Sequence, residues 1–317
     1  MTDLSVVIVN WNTRDLLARC LASVESSPLA QEPDPGAGTG QTTLTAGAIE
    51  IFVVDNASTD GSPTMVRERF PQVHLIENRE NVGFAAANNQ AIGQSSGHYV
   101  ALLNSDTEVH PGALEILVQF LDAHTSAGGC GPRLLNADGS FQASCHPMLT
   151  PGREFWRLLF LERFWPRATY AQANWDTDRA RRVEVIKGAC FLLRRAALEQ
   201  VGALDEQYFM YTEEVDLCYR LAQAGWELWW VPRATVLHYG EASSEQVPEA
   251  MYVQLYRSKI QFYRKTGGER WAAHFKRLLR LAYWPRLAVA ASGALFSSPL
   301  AAQAQTYRRL LAELPEM

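Results

Sequence analysis

The sequence predicts an α/β protein, an open sheet covered by helices, with a helical region added at its C-terminal end. Three observations predict it. Short apolar runs alternate with helix-compatible segments from Leu4 to Leu103. Each run ends directly on Asn, Asp or Glu, which places polar side chains at the rim where open α/β sheets bind ligands. After Gly240 the pattern changes to helical segments rich in basic and aromatic residues.

The runs Leu4 to Val9, Ile49 to Val54, Val73 to Ile76 and Tyr99 to Leu103 read as buried parallel strands. Between them, Thr13 to Ser26, Ser62 to Phe70 and Ala85 to Gln94 have helical patterns, the second carrying Pro63 in its first turn. Residues 28–48, rich in Gly, Pro, Thr and Gln, read as a flexible surface insertion. The glycines at Gly36, Gly38 and Gly40 follow no strand and lack dinucleotide-loop spacing, so a linker is the better reading.

Composition bounds the function. The 317 residues are 47% hydrophobic and 20% charged, enough for a sizeable core. A net charge of −5 and a pI of about 5.8 provide no basic field, so nucleic acid is excluded as a partner class. Five widely spaced cysteines without a C-x-x-C pair indicate neither a disulfide framework nor a zinc knuckle, which fits a cytoplasmic protein. The opening MTDLSVVIVN has no positive segment before its apolar run and reads as a first strand rather than a signal peptide.

The strand ends form a set: Asn10-Trp11-Asn12, Asp55 to Gly61, Asn81-Val82-Gly83-Phe84 and Asn104-Ser105-Asp106. Asn and Asp commonly cap helices and shape turns. Four such loops on one rim also supply the hydrogen-bond partners of a nucleobase and ribose, and a carboxylate for the divalent cation that a diphosphate attracts.

In this order the stretches VVIVNWNTRDLLARCLASV, VVDNASTDGS, ENVGFAAANNQAI, LLNSDTEV, IKGACFLLRR, LDEQYFMYTEEVDLCYRLAQAGW and VLHYGE resemble the successive motifs of family 2 glycosyltransferases, particularly a rhamnosyltransferase-like branch. The resemblance runs from Leu4 to Glu241. It implies a GT-A fold, a Rossmann-like open mixed sheet, in residues 1–245, with residues 246–317 as a helical appendage. It also implies a nucleoside-diphosphate sugar donor, dTDP-rhamnose or a UDP-sugar, a divalent metal (Mn2+ or Mg2+), and inversion at the anomeric carbon. The acceptor class is a glycan or a lipid-linked saccharide in cell-surface polysaccharide biosynthesis.

Residue by residue, the resemblance places Asn104 and Asp106 at the D-x-D position, with Asp106 as the metal-bridging carboxylate and Glu108 a candidate helper. Asp55 matches the acid that meets the nucleobase, and Asn10 lies where the first loop approaches the nucleotide. The Asn81 to Gly83 turn brings backbone towards the donor, because glycine has no side chain in the way. Asn88 and Asn89 are either polar contacts or helix-surface residues.

Val183 to Arg194 reads as a strand, with Gly188 and Ala189 leaving space for the donor. Glu213, Glu214 and Asp216 then crowd a helix start. Favourable interaction with the helix dipole explains part of this; mutual repulsion of three acids calls for a ligand or cation as well. The family places its general base in an E-D-x-D stretch, here Glu213-Glu214-Val215-Asp216, so the base is Glu214 or Glu213. Asp216 holds the helix start or binds acceptor. His238 is a hydrogen-bonded core residue on its local pattern and a second metal ligand on the resemblance.

In the C-terminal region, Val247 to Tyr263 and Arg270 to Leu281 are helical, and Leu287 to Leu300 is too short and interrupted to span a membrane. Lys276, Arg277, Arg280 and Arg286 beside Trp271, Tyr283 and Trp284 suit a helix lying on the inner face of the cytoplasmic membrane. A helical appendage packed on the catalytic domain, or a homodimer contact, is the other reading. Two alternative functions stand beside the transferase. A nucleotidyltransferase calls for a basic loop near the first strand, where Arg14 alone is basic. A non-catalytic sugar-nucleotide-binding protein would have no use for the acidic cluster.

Overall fold

A computed structural model describes residues 2–27, 48–164, 169–240, 246–294 and 297–317. The insertion expected at residues 28–48 therefore lies, apart from Ala48, outside the described residues.

Strands β1 (Thr2–Asn10), β2 (Ala48–Asp55), β3 (His74–Glu77) and β4 (Tyr99–Asn104) pair in parallel in the order β3-β2-β1-β4. They are linked by helices α1 (Arg14–Glu25), α2 (Ser62–Arg69) and α3 (Phe84–Ile92). This half matches the expectation, because unbroken apolar runs are what a strand buried on both faces requires. Val6, Ile8, Ala101 and Leu103 pack on the face covered by α1, α2 and α4 (Ala113–Ala123), while Val7, Val54, Val100 and Leu102 pack on the other. The alternation follows from the strand period of two.

The second half of the sheet was less visible in the sequence. Short β5 (Thr107–Val109) follows β4, and β6 (Ala127–Leu135), carrying three glycines and a proline, lies deep in the sheet. Two-residue strands β7 (Phe141–Gln142) and β8 (Cys145–His146) lead to α5 (Pro151–Leu158). The single strand expected over Val183 to Arg194 is three pieces, β9 (Arg181–Val183), β10 (Val185–Ile186) and β11 (Cys190–Arg194). The turn at Lys187 to Ala189 breaks it and frees Gly188 from the ladder. Strand β11 runs antiparallel between β4 and β6, and β12 (Glu227–His238) pairs with β6 in parallel and with β5 in antiparallel, so the sheet is mixed.

Helices α6 (Arg195–Val201) and α7 (Glu213–Gln223) precede β12. The chain ends in α8 (Pro248–Gly293), broken at Gly268 (φ 70°), and α9 (Ser298–Glu313). Helix α8 runs through Pro285 to Gly293, further than Leu281, with Pro285 on its exposed side. Ile260, Phe262, Tyr263, Phe275 and Tyr283 join the same core cluster as Val7 and Phe52 of the sheet. Buried polar links reinforce this packing: Lys259 pairs with Glu154 of α5, and the Ser258 hydroxyl donates to the Met210 carbonyl at 2.8 Å. All five cysteines are free and buried, and burial pushes the thiols of Cys20, Cys145 and Cys190 up to about 12, which leaves them inert.

Candidate active site

The strand ends open onto one cleft of about 560 Å³. Asn56, Asn81, Gly83, Asn104, Ser105 and Asp106 line one side, Gly188, Glu213 and Glu214 another, and His238 closes it. Phe209, Met210, Val247 and Met251 make the remaining border apolar.

Asp106 lies in the turn between β4 and β5. His238, the last residue of β12, registers against Thr107 of β5, which brings its Nε2 to 3.3 Å from Asp106 Oδ1 and 3.4 Å from Asn104 Nδ2. The imidazole is oriented by a residue that the sequence reading missed. Gln142 Nε2 donates to Asn136 Oδ1 (2.8 Å) and to the His238 carbonyl (3.2 Å), so its Oε1 is the atom facing His238 Nδ1 at 2.7 Å. Nδ1 then carries a proton, and Nε2 is the ring atom turned towards the Asp106 carboxylate. An imidazole nitrogen and a carboxylate oxygen at that separation suit a shared cation. Among the described residues no group of three or more His, Cys, Asp or Glu side chains is placed to hold a metal ion, so a cation at this pair would need further ligands such as phosphate or water. Glu108, the candidate helper, is instead occupied: its Oε1 accepts from the Tyr239 hydroxyl at 2.6 Å. No pattern in the chain flags Gln142, since it acts only through a distant histidine.

On the opposite side, Tyr211 (φ 67°) and Thr212 (φ 72°) occupy the left-handed region immediately before α7. Such strain, unusual for β-branched threonine, is held in place where the surroundings over-determine the chain. Here Gly83 supplies part of that constraint. A Cβ on it would sit 2.5 Å from the Phe209 carbonyl oxygen, which accepts from the Phe84 N–H at 2.7 Å. The glycine does line the cleft, but the close approach it permits is to Phe209 rather than to a donor alone. Asn81 stabilises that turn by accepting from the Gly83 N–H at 3.0 Å.

Glu213 and Glu214 open α7, and one carboxylate oxygen of each is buried with no hydrogen-bond partner. Burial, and then the charge of Glu214, push the Glu213 carboxyl well above the usual range. Burial also raises Glu214, against the pull of backbone N–H groups and of the Lys187 ammonium. Glu214 is the more accessible of the two, and Gly188 leaves open space beside it, since a Cβ there would meet nothing nearer than Phe84 and the Glu214 Cβ at about 4 Å. Lys187, also in the cleft lining, was likewise not singled out by the sequence.

Five of the expected residues lie away from the cleft lining. Asp216 does not line the cleft: it is fully buried and ion-paired to Arg220 (2.7 Å) and Lys265 (2.8 Å), tying α7 to α8. Asn10 and Asp55 are buried behind the cleft and turned to each other, with Asn10 Nδ2 donating to Asp55 Oδ1 at 2.8 Å and the Ser58 N–H to Asp55 Oδ2 at 2.8 Å. Asn89 holds the Leu204 backbone through both its amide atoms, and Asn88 caps nothing in the cleft but donates to the Phe84 carbonyl.

Residues 5–202 match glycosyl transferase family 2, and the chain belongs to that family. It is 32% identical over 296 residues to an N-acetylglucosaminyl-diphospho-decaprenol L-rhamnosyltransferase of Mycobacterium tuberculosis, covering 88% of this chain and 90% of that one. It is 24% identical over 224 residues to a low-salt glycan biosynthesis hexosyltransferase of Haloferax volcanii, covering 69% of this chain and 62% of that protein. Among solved structures, a mannosyltransferase of Pyrobaculum calidifontis in complex with GDP-Man and Mn2+ superposes with a TM-score of 0.53 at 19% identity, over 98% of this chain and 85% of its own. The fold is GT-A, and the protein is a glycosyltransferase using a nucleotide sugar. Family membership displaces the nucleotidyltransferase and binding-protein alternatives.

Proposed function

We propose that this chain is a metal-dependent inverting rhamnosyltransferase, moving rhamnose from dTDP-rhamnose to a hydroxyl of a saccharide carried on a lipid diphosphate, at the inner face of the cytoplasmic membrane. The observation that carries the reading is that one cleft holds both the Asp106–His238 pair and the Glu214 carboxylate, one oxygen of which is buried without a partner. The relative's printed activity supports the choice of rhamnose and of a lipid-diphosphate acceptor. The apolar border formed by Val247 and Met251 supports a lipid chain at the entrance.

Asp106 and His238 would hold a divalent cation, Mn2+ or Mg2+, which when bound offsets the charge of the departing nucleoside diphosphate. Asn104 offers its amide group to the nucleotide sugar. Gly188 leaves the space in which the sugar meets Glu214. Glu214 takes the proton from the acceptor hydroxyl as its oxygen bonds to the anomeric carbon. The bond from that carbon to the diphosphate oxygen breaks with its electron pair leaving on the phosphate, so one displacement inverts the centre. Burial raises the Glu214 pKa, which makes its ionised carboxylate a stronger base than an exposed one.

Purified protein with dTDP-rhamnose, UDP-sugars and GDP-mannose, each with and without a short-chain lipid-diphospho-N-acetylglucosamine, tests this. Release of dTDP that needs both the acceptor and added Mn2+ or Mg2+ is expected. Release confined to another donor, or undiminished by a chelator, would overturn the donor or the metal.

A further inference from the structure

The second half of α8, after the break at Gly268, uses its two sides in opposite ways. Phe275, Leu279, Ala282, Tyr283 and Ala290 face the protein and are buried. The outer side holds Leu281, Trp284, Pro285, Ala288 and Val289, at spacings of 0, 3, 4, 7 and 8, which is one stripe of an α-helix. Leu281 is 62% exposed, Trp284 60% and Val289 70%. A surface helix of a protein surrounded by water carries polar residues on such a stripe; a continuous apolar one marks a contact.

The stripe does not stand alone. The Arg286 guanidinium lies 4.6 Å from the Phe160 ring, which brings the exposed turn after α5 alongside. Phe160 is 69% exposed and Phe164, four residues on, 83%. Glu162 lies between those two phenylalanines, whereas the chain beyond Glu269 is basic. From residue 270 to 312 the chain has seven Lys or Arg and no Asp or Glu, although its net charge is −5. No described helix is long and apolar enough to cross a membrane.

We propose that this face, the Leu281 to Val289 stripe with Phe160 and Phe164, is where the enzyme lies on an anionic lipid surface, its aromatic and aliphatic side chains entering the headgroup boundary while Arg277 and Arg280 meet lipid phosphates. An apolar stripe flanked by cations on a non-spanning helix is the arrangement an anionic interface selects. A second copy of the chain fits less well, because a two-fold contact through this face would set like charges against each other. Trp271 and Tyr283, grouped with Trp284 on sequence grounds, play different parts: Tyr283 is core, and Trp271 packs against Tyr263. The proposal deepens the lipid-acceptor reading, but its test uses neither donor nor acceptor, so the two fail separately.

The test is co-sedimentation of the full chain with phosphatidylglycerol-containing and pure phosphatidylcholine vesicles. Binding to the anionic vesicles is expected, weakened on phosphatidylcholine and in about 1 M salt, where the screening length is about 3 Å. The double variant Leu281→Asp, Trp284→Asp should lose binding to both compositions. Arg277→Glu with Arg280→Glu should lose about tenfold or more on anionic vesicles alone. Unchanged thermal melting and dTDP binding keep misfolding from imitating either result. Absence of binding to anionic vesicles, or binding indifferent to the stripe variant, overturns the proposal. So does a wild-type dimer that the stripe variant converts to monomer while vesicle binding is nil.

Discussion

The strand-end wall of the cleft and the α7 wall treat their polar atoms differently. Behind the first, Asn10, Thr13, Asp55 and Ser58 form a closed set in which each side chain bonds another or a loop N–H, and Asn56 is held by Gly83 and Asn78. At the second, Glu213 and Glu214 are set side by side in a buried position with an oxygen each left without a partner, after two residues in left-handed backbone. Satisfied buried groups stabilise and fix a shape; unsatisfied carboxylates cost stability and are tolerated where a substrate completes them. The contrast assigns the first wall to shaping the nucleotide loops and the second to chemistry.

The sharpest way to break that contrast is at the acids. Glu214→Gln should lower transfer by about a hundred- to ten-thousandfold while dTDP binding with metal is retained. Glu213→Gln should cost far less in rate and should alter stability instead. Its carboxyl is raised by burial and by Glu214, so the folded state holds its proton at pH values where the unfolded chain has released it. Stability therefore falls as pH rises from the ordinary glutamate range through the raised value, and the glutamine variant should lose that dependence. Initial rates and thermal melts across pH measure both, and a crippled Glu213→Gln beside an active Glu214→Gln would exchange the roles. The wild-type rate should decline on the acid side at a higher pH than an exposed carboxylate would give, since burial raises Glu214 as well.

A smaller effect is expected at Gln142. Replacing it by leucine removes the acceptor that fixes the His238 proton on Nδ1, and outer partners of this kind change metal affinity by about ten- to a hundredfold. Mn2+ titration followed by electron paramagnetic resonance reads this without turnover. Affinity equal to wild type would mean that the histidine keeps its tautomer unaided.

The smallest catalytic effect belongs to the closed wall. Asn10→Ala leaves Asp55 and Thr13 short of a buried partner and should cost about 1–3 kcal/mol of stability in urea unfolding. If dTDP affinity collapses and stability does not move, Asn10 touches the nucleotide directly and the contrast between the walls fails.

Much of this was present in the sequence, because local patterns report local physics. Apolar runs without alternation required strands covered on both faces, and β1 to β4 are such strands. The ordered motifs pointed to the family, and Asp106, Glu213, Glu214 and Gly188 do face one cleft. The glycine-bearing β6 was missed because its neighbours, rather than its own composition, make it a strand.

What the sequence could not determine was which partners each side chain would meet. Asn104 and His238 are 134 residues apart and meet only because β12 returns beside β5. Asp216 shares a motif with the base, yet α8 delivers Lys265 to it and turns it into a tie between helices. Trp284 and Tyr283 are neighbours in the chain, but a helix turns about 100° per residue, so packing took one ring into the core and left the other outside. A sequence sets the period of each element and the chemistry available on it. Long-range packing decides which face is covered and which charge is answered, since those contacts belong to pairs of distant segments.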